Sequence, residues 1–324
     1  MTAQTTYQYS HTIGLASLAK EGFLYPVDLA IDSQNRLYVV NRGITFKQLD
    51  IKCMRVSIAS PDGDYIDQFG GWGHADGQFE WPTGIACDRA DHVYVTDISD
   101  NRLQVFSQKG DFLGKWGTVG DQDGEWNRPT SLAFDREDNL YVSDTLNCRI
   151  QKFTKEGKFL LKWGEKGTGD GQFDMPWGIA LDAAGDVYVA DWRNDRIQKF
   201  DAQGKFLMKF GQSGDGEGEF HRPSGVAVDT AGNIWVSDWG NHRAQVFSPD
   251  GSFLAQFRGD ATLSNWAVKY LEANQDYVQG RQIAKSLDPE KWFYSPTAVK
   301  TDGAGRVYVV DSNRHRLQIY RPAS

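Results

Sequence analysis

The sequence predicts an all-β fold: a six-bladed β-propeller of four-stranded antiparallel blades, its last blade closed by the N-terminal strand, with one helical insertion between blades five and six. Three observations carry this. A Pro-anchored repeat runs through the chain, turn signals cut each repeat into four strand-length pieces, and the C-terminal unit is one strand short. The 324 residues would fill one large or two medium domains. Their 34 Gly, 18 Phe, 13 Tyr and 11 Trp suit many short strands joined by tight turns.

Pro26, Pro82, Pro129, Pro176, Pro223 and Pro296 lie 56, 47, 47, 47 and 73 residues apart, a period of 47 with insertions of 9 and 26. Three residues before each Pro stands an aromatic: Phe23, Phe79, Trp126, Phe173, Phe220 and Phe293. Six residues after each stands an acid: Asp32, Asp88, Asp135, Asp182, Asp229 and Asp302. Such matches in every unit define an internal repeat. The fourth unit divides into GIALD, DVYVAD, RIQKFD and KFLMKFG, separated by AAG, WRND and AQG. Units of this length with four strands read as blades around a central channel. The first strand is built of small residues, as in Gly84-Ile85-Ala86, because inner strands crowd at the axis.

The sixth unit runs only from 296 to 324 and holds three strands. Tyr9 falls where Tyr65, Phe112, Phe159 and Phe206 fall, and Gly14 where Gly70, Gly117, Gly164 and Gly211 fall. Residues of about 9 to 14 are therefore expected to complete the last blade and remove its free edge. The whole chain, 1–324, reads as one domain with blades starting near 26, 82, 129, 176, 223 and 296.

A net charge of −8 argues against nucleic acid as a partner. No apolar run reaches the roughly 18 residues of a membrane span, and the opening MTAQTTYQYSHTIG has neither a basic start nor an apolar h-region. The expected location is cytoplasmic. Cys53, Cys87 and Cys148 are an odd set without metal-like spacing, which fits reduced thiols.

The unit P-x-G-I-A-x-D, x-x-G-x-V-Y-V-x-D, x-x-N-x-R-I-Q-x-F, x-x-x-G-x-F-L-x-K-W-G resembles the NHL repeat. Clear copies begin at Pro82, Pro129, Pro176 and Pro223, weaker ones at Pro26 and Pro296. The resemblance covers nearly the whole chain and implies the propeller. It does not choose a function, since similar propellers recognise RNA or protein in the tripartite-motif relatives and cleave C–N bonds with zinc in the peptidyl-hydroxyglycine amidating lyases. In those lyases zinc is held by His directly after the repeat Pro, and a Tyr sits two residues beyond a second-strand Asp. Here the first set reads Val27, Thr83, Thr130, Trp177, Ser224 and Thr297, and the second Gly43, Ser99, Leu146, Arg193, Gly240 and Asn313. Zinc amidating-lyase chemistry is thereby disfavoured. A lactonase-type channel calcium would find only Asp28.

Repeated polar residues are read as scaffold. Asp97, Asp144, Asp191, Asp238 and Asp311 are each followed five residues on by Arg102, Arg149, Arg196, Arg243 and Arg316, a pattern of hydrogen-bonded struts. The Asp ending each first strand is placed to accept turn amides.

Function is sought where a column breaks the repeat. The connections before the Pro and after the second strand share one face, around the channel mouth. The residue after the second strand reads Arg42, Ile98, Thr145, Trp192, Trp239 and Ser312. The candidate ligand-binding residues are Trp177, Trp192, Arg193, Trp239, Thr83, Thr130 and Thr297. Blade one adds Asp28 in place of a small residue and Arg42 after Asn41. With His221 these are the candidate acid–base groups, against the plain alternatives of an Asp28–Arg42 salt bridge and an exposed loop His. The other histidines, His11, His74, His92, His242 and His315, show no metal-ligand spacing. No cofactor is indicated, and a divalent metal in the channel is left open.

Within the insertion of about 260–292, Ser264 is a cap, and Trp266, Tyr270, Ala273 and Tyr277 recur at helical spacing. It reads as a lid over the mouth or as a dimer contact. The shorter GITFKQLDIKCM insertion leaves from the same side. Together they favour an enclosed small-molecule site, and with it a lyase, hydrolase or isomerase; the alternative is a protein-interaction scaffold. The expected partner is a small molecule, with no nucleic acid and no membrane, and the oligomeric state is not set.

Overall fold

A computed structural model describes residues 6–18, 21–43, 45–46 and 51–323. Six four-stranded antiparallel sheets form the propeller. Blade one comprises Pro26–Ile31, Leu37–Asn41, Arg55–Ala59 and Tyr65–Phe69. Blades two to five repeat that order from Pro82, Pro129, Pro176 and Pro223. Blade six supplies Pro296–Thr301, Val307–Asp311 and Arg316–Pro322, and its fourth strand is Tyr7–Ile13 from the other end of the chain. That strand pairs antiparallel with Arg316–Pro322, from Tyr7↔Pro322 to Ile13↔Leu317, so the ring closes as the short sixth unit requires.

The repeated residues have separable jobs. The aromatic three before each Pro is the plug between blades: Phe23, Phe79, Trp126, Phe173 and Phe220 are 0% exposed and Phe293 is 3%. In five of the six units a Gly twelve before the Pro makes room for it. A Cβ on Gly70, which stands at φ +92°, would lie 2.4 Å from the Phe79 ring, which accounts for Gly14 recurring against Phe23. Around each plug, apolar residues of two neighbouring blades interdigitate, as Val40 and Val56 do with Phe79, Val95 and Phe106. Burial of an aromatic of this size contributes about 1.5 to 3 kcal/mol.

At the axis the expected crowding is met. A Cβ on Gly178 would stand 2.6 Å from the Ser224 carbonyl oxygen and 2.8 Å from the Gly225 Cα. The Asp ending each first strand accepts two amides of the following turn in all six blades; in blade four these are Ala184 at 2.9 Å and Asp186 at 3.0 Å.

The struts form in four of the five expected pairs, with Arg Nε to Asp Oδ2 at 2.7 Å for Arg149–Asp144 and 2.8 Å for Arg196–Asp191, Arg243–Asp238 and Arg316–Asp311. Blade two departs from the pattern: Arg102 pairs with Asp100 at 2.9 Å, while both carboxylate oxygens of Asp97 are taken by the amides of Glu80 and Trp81.

The insertion folds as three short helices, α1 (Asn265–Ala273), α2 (Gln275–Ile283) and α3 (Asp288–Lys291). Ser264 caps α1 by accepting the Ala267 amide at 3.1 Å, and its hydroxyl donates to the Gly14 carbonyl at 2.5 Å. Asn274, at φ −135° and ψ 78°, breaks the helix that the apolar spacing predicts to continue to Tyr277. Trp266 is 3% exposed and packs edge-on to Phe23 at 5.2 Å and to Tyr65 at 6.4 Å. The insertion is thus a brace over the seam where the first and last blades meet. Among the described residues it contributes none to the mouth cavities, which corrects the expectation of a lid. No helix of the described residues is long and apolar enough to cross a membrane.

Candidate functional site

The loops at the mouth are pinned from beneath. The residue ending each second strand accepts the amide two positions before the Pro: Asn41 from Leu24, Asp97 from Glu80, Asp144 from Asn127, Asp191 from Asp174, Asp238 from His221 and Asp311 from Tyr294, all at 2.7 to 2.9 Å. A second tether crosses between blades. Asn101, Asp195, His242 and His315 stand at φ 48° to 56°, and each side chain accepts the amide just before the next blade's Pro, that of Arg128, Arg222, Ser295 or Tyr25. After the Pro a β-bulge, between Pro176↔Asp191 and Ile179↔Val189 in blade four, re-aims the chain at the channel. Side chains on either side of these pins therefore project from a fixed frame.

At the mouth is a cavity of about 150 Å³, walled by Trp177, Trp192 and Trp239, with Arg42 entering from blade one and Thr83 and Thr297 low on its sides. Trp177 and Trp192 have ring centroids 5.8 Å apart, and Trp192 and Trp239 6.4 Å, so the three indoles form one tilted aromatic wall. Arg42 and Trp239 also line an adjoining chamber of about 480 Å³ over blades six and one, with Tyr25, Met54, Trp81 and Ser312. Beneath lies a waist of about 20 Å³, then an apolar lower channel of about 190 Å³.

Arg42 has unusual surroundings. Its Cζ stands 5.1 Å over the Trp81 ring, and its Nε is buried without a hydrogen-bond partner. Burial alone pushes its pKa down to about 10, which still leaves it charged near neutral pH.

The structure brings together Arg42, Trp177, Trp192, Trp239, Thr83 and Thr297. The hydroxyl of Thr83 already donates to the Pro129 carbonyl at 3.2 Å, and that of Thr297 to Pro26 at 3.5 Å, so both also latch neighbouring blades. Thr130 lies lower, in the waist, with its hydroxyl donating to the Trp177 carbonyl at 3.1 Å.

Asp28 is also in the waist. Its ionic partner is Lys300, at 3.4 Å, so the expected Asp28–Arg42 pair is corrected to Asp28–Lys300. Desolvation raises the Asp28 pKa against the pull of Lys300 and of the Leu29 and Ile85 amides. His221 and Arg193 are exposed on the mouth side and line neither mouth cavity.

Sequence reasoning missed Trp81, Tyr25 and Lys300. The column four residues after the Pro reads Ala30, Ala86, Ala133, Ala180, Ala227 and Lys300, so the test that found Asp28 also finds its partner. Trp81 and Tyr25 stand directly before the Pro, in a column that reads Tyr25, Trp81, Arg128, Met175, Arg222 and Ser295. Among the described residues no three His, Cys, Asp or Glu side chains are grouped to hold a metal. A larger cavity of about 840 Å³ lies on the opposite face. Its Asp32, Asp88, Asp135 and Asp182 are occupied by the turn amides described above.

Fold and mouth together define a class: a six-bladed propeller whose channel opens into an aromatic-walled cavity. Residues 127–153, 173–200, 220–247 and 293–320 match the NHL repeat, and the chain is an NHL-repeat propeller. No curated protein sequence matches it. Solved structures with a similar ring include a catalytically inactive virginiamycin B lyase from Staphylococcus aureus with quinupristin, at TM-score 0.57 and 11% identity, covering 98% of this chain and 89% of that one. A streptogramin B lyase matches at TM-score 0.57 and 10% identity, covering 98% of both chains. A protein of unknown function from Bacteroides thetaiotaomicron matches at TM-score 0.65 and 18% identity, covering 98% of this chain and 76% of that one. At such identities the likeness shows the fold alone.

Proposed function

We propose that the channel mouth binds a small molecule with an aromatic or apolar body, and that the protein acts on it as a lyase, hydrolase or isomerase. The observation that carries this reading is the convergence of Trp177, Trp192 and Trp239 with Arg42 on one cavity. An indole wall supplies apolar area and a π-face, while one charged group orients the ligand. Arg42 is the candidate catalytic group that reaches the cavity; Asp28, beneath the floor, is a candidate to set the field in which it acts. Enzymes of the lyase class named above use similar rings, which is support by analogy of fold.

The test is a thermal-shift screen of metal ions and a broad metabolite library on the parent and on Trp192→Ala with Trp239→Ala. A stabilising hit lost in the double variant supports the reading, since a ligand that binds only the native state raises Tm by mass action. An absence of hits, with the double variant as stable as the parent, overturns it in favour of a protein-binding surface.

A further inference from the structure

We propose that Arg42 is a carboxylate anchor, and that the ligand of the mouth is a small aromatic monocarboxylate with its carboxylate on the guanidinium and its ring against Trp239 and Trp192. This rests on the reading of the mouth as a small-molecule site.

The arginines that open the third strands of the blades are partnered within the protein. Arg149, Arg196, Arg243 and Arg316 each hold an Asp and donate further to loop carbonyls. Arg55, in the blade where Asn41 replaces the Asp, still donates to the carbonyls of Ser17 and Gly22 at 3.0 Å. Arg42 breaks the rule. Among the described residues it has neither a carboxylate partner nor a side-chain hydrogen bond, and its contact is the face of Trp81. Stacking of that kind steadies the guanidinium plane but leaves its in-plane N–H donors unused. A guanidinium half withdrawn from water without a partner is costly, and this one lines both mouth cavities. A ligand anion is the missing partner.

The charge count selects the kind of anion. The ammonium of Lys300 is spent on Asp28, and Arg314 donates to the Pro289 carbonyl. Arg222 lies over the Trp192 ring at 4.7 Å and lines neither cavity. One uncompensated cation matches one negative charge, and a guanidinium fork matches a carboxylate bidentately; a phosphate dianion would call for a second cation. The remainder of the ligand is set by Trp239, which lines both cavities, and by Trp192 beside it. At about 480 Å³ the chamber falls within the usual size of small-molecule sites.

The experiment is isothermal titration calorimetry on the full chain with matched pairs, indole-3-acetate against indole-3-acetamide and phenylacetate against phenylacetamide, with phenyl phosphate as the dianion. The expected result is saturable binding of the acids at least tenfold tighter than the amides, or about 1.4 kcal/mol. Arg42→Gln should abolish that preference, Arg42→Lys should keep part of it, and the Trp192→Ala, Trp239→Ala double variant should weaken acids and amides alike. Without ligand, Arg42→Gln should melt at or above the parent temperature, since it removes a half-buried charge that no group of the protein pairs. Amides binding as tightly as acids, or the preference surviving Arg42→Gln, overturns the anchor while leaving the mouth site standing. Phenyl phosphate binding more tightly than the acids overturns the monoanion, and no saturable binding by any probe overturns the aromatic-acid assignment. A ligand-free Arg42→Gln that melts below the parent makes Arg42 structural and overturns the proposal independently. Failure of the mouth reading itself would register separately, as metabolite hits that the double Trp variant leaves untouched.

Discussion

Replacing Trp266 by Ala tests whether the helical insertion braces the seam of the ring. Trp266 is 3% exposed, and its neighbours Phe23 and Tyr65 belong to blade one, while Ile13 and Leu317 of the same cluster belong to blade six. The indole Nε1 has no hydrogen-bond partner, so the loss is one of packing. Truncation of a buried Trp costs about 3 to 5 kcal/mol. With an unfolding entropy of roughly 2.1 cal/mol/K per residue, 324 residues convert that into a fall in Tm of about 4 to 7 °C. Tyr277, 59% exposed on α2, is the control, and Tyr277→Ala should move Tm by less than about 1 °C. Both variants are read by calorimetric melting and by affinity for whatever ligand the mouth binds. A Trp266→Ala protein that melts with the parent but binds ligand differently would refute the brace and restore the lid.

Deleting residues 1–14 removes the fourth strand of blade six and the glycine that seats Phe23, and should lower Tm by more than 10 °C or abolish a single cooperative transition, as followed by circular dichroism. Gly178→Ala places a Cβ against backbone atoms of the next blade, which cannot yield as a side chain would; a loss above about 2 kcal/mol in urea titration is expected. His315 Nδ1 accepts the Tyr25 amide, so the ring must be unprotonated there, and burial lowers its pKa. The unfolded chain then binds the proton more readily, so this contribution is present above the ordinary His pKa of about 6.5 and is lost as pH falls below it. His315→Asn, which keeps an acceptor but does not titrate, should flatten the stability change between about pH 7.5 and 5.5; an unchanged slope would count against this account.

The fold was legible because each structural task recurs at one place in the period. An aromatic at −3 and a glycine at −12 from the Pro are visible as columns even where the strands between them differ. The closing strand was legible for the same reason, since Tyr9 and Gly14 keep their columns at the far end of the chain. Columns compare residues around the ring at equal height and carry no information about depth. Asp28 and Arg42 belong to one blade, yet Asp28 lies a layer below, where its neighbour is Lys300, brought there by the closure of blade six on blade one. The insertion was legible as helical but not in placement, because the spacing of Trp266, Tyr270 and Tyr277 defines one apolar face. Only Trp266 is used against the ring; Tyr270 and Tyr277 pack on each other outside it, with centroids 5.5 Å apart.

The double tethering of the mouth loops has a consequence for how such a protein can change. The pins are made by Asp144, Asp191, Asp238 and their equivalents below the loops, and by residues such as Asn101 and His242 that cap the next blade. The indoles that wall the cavity stand beside the pins and tie no loop themselves, as with Trp192 beside Asp191 and Trp239 beside Asp238. Loop anchoring and cavity lining are thus encoded in neighbouring letters of the same short segment. Six such segments face one opening, so the lining of that opening can change one blade at a time while the ring that supports it is inherited intact.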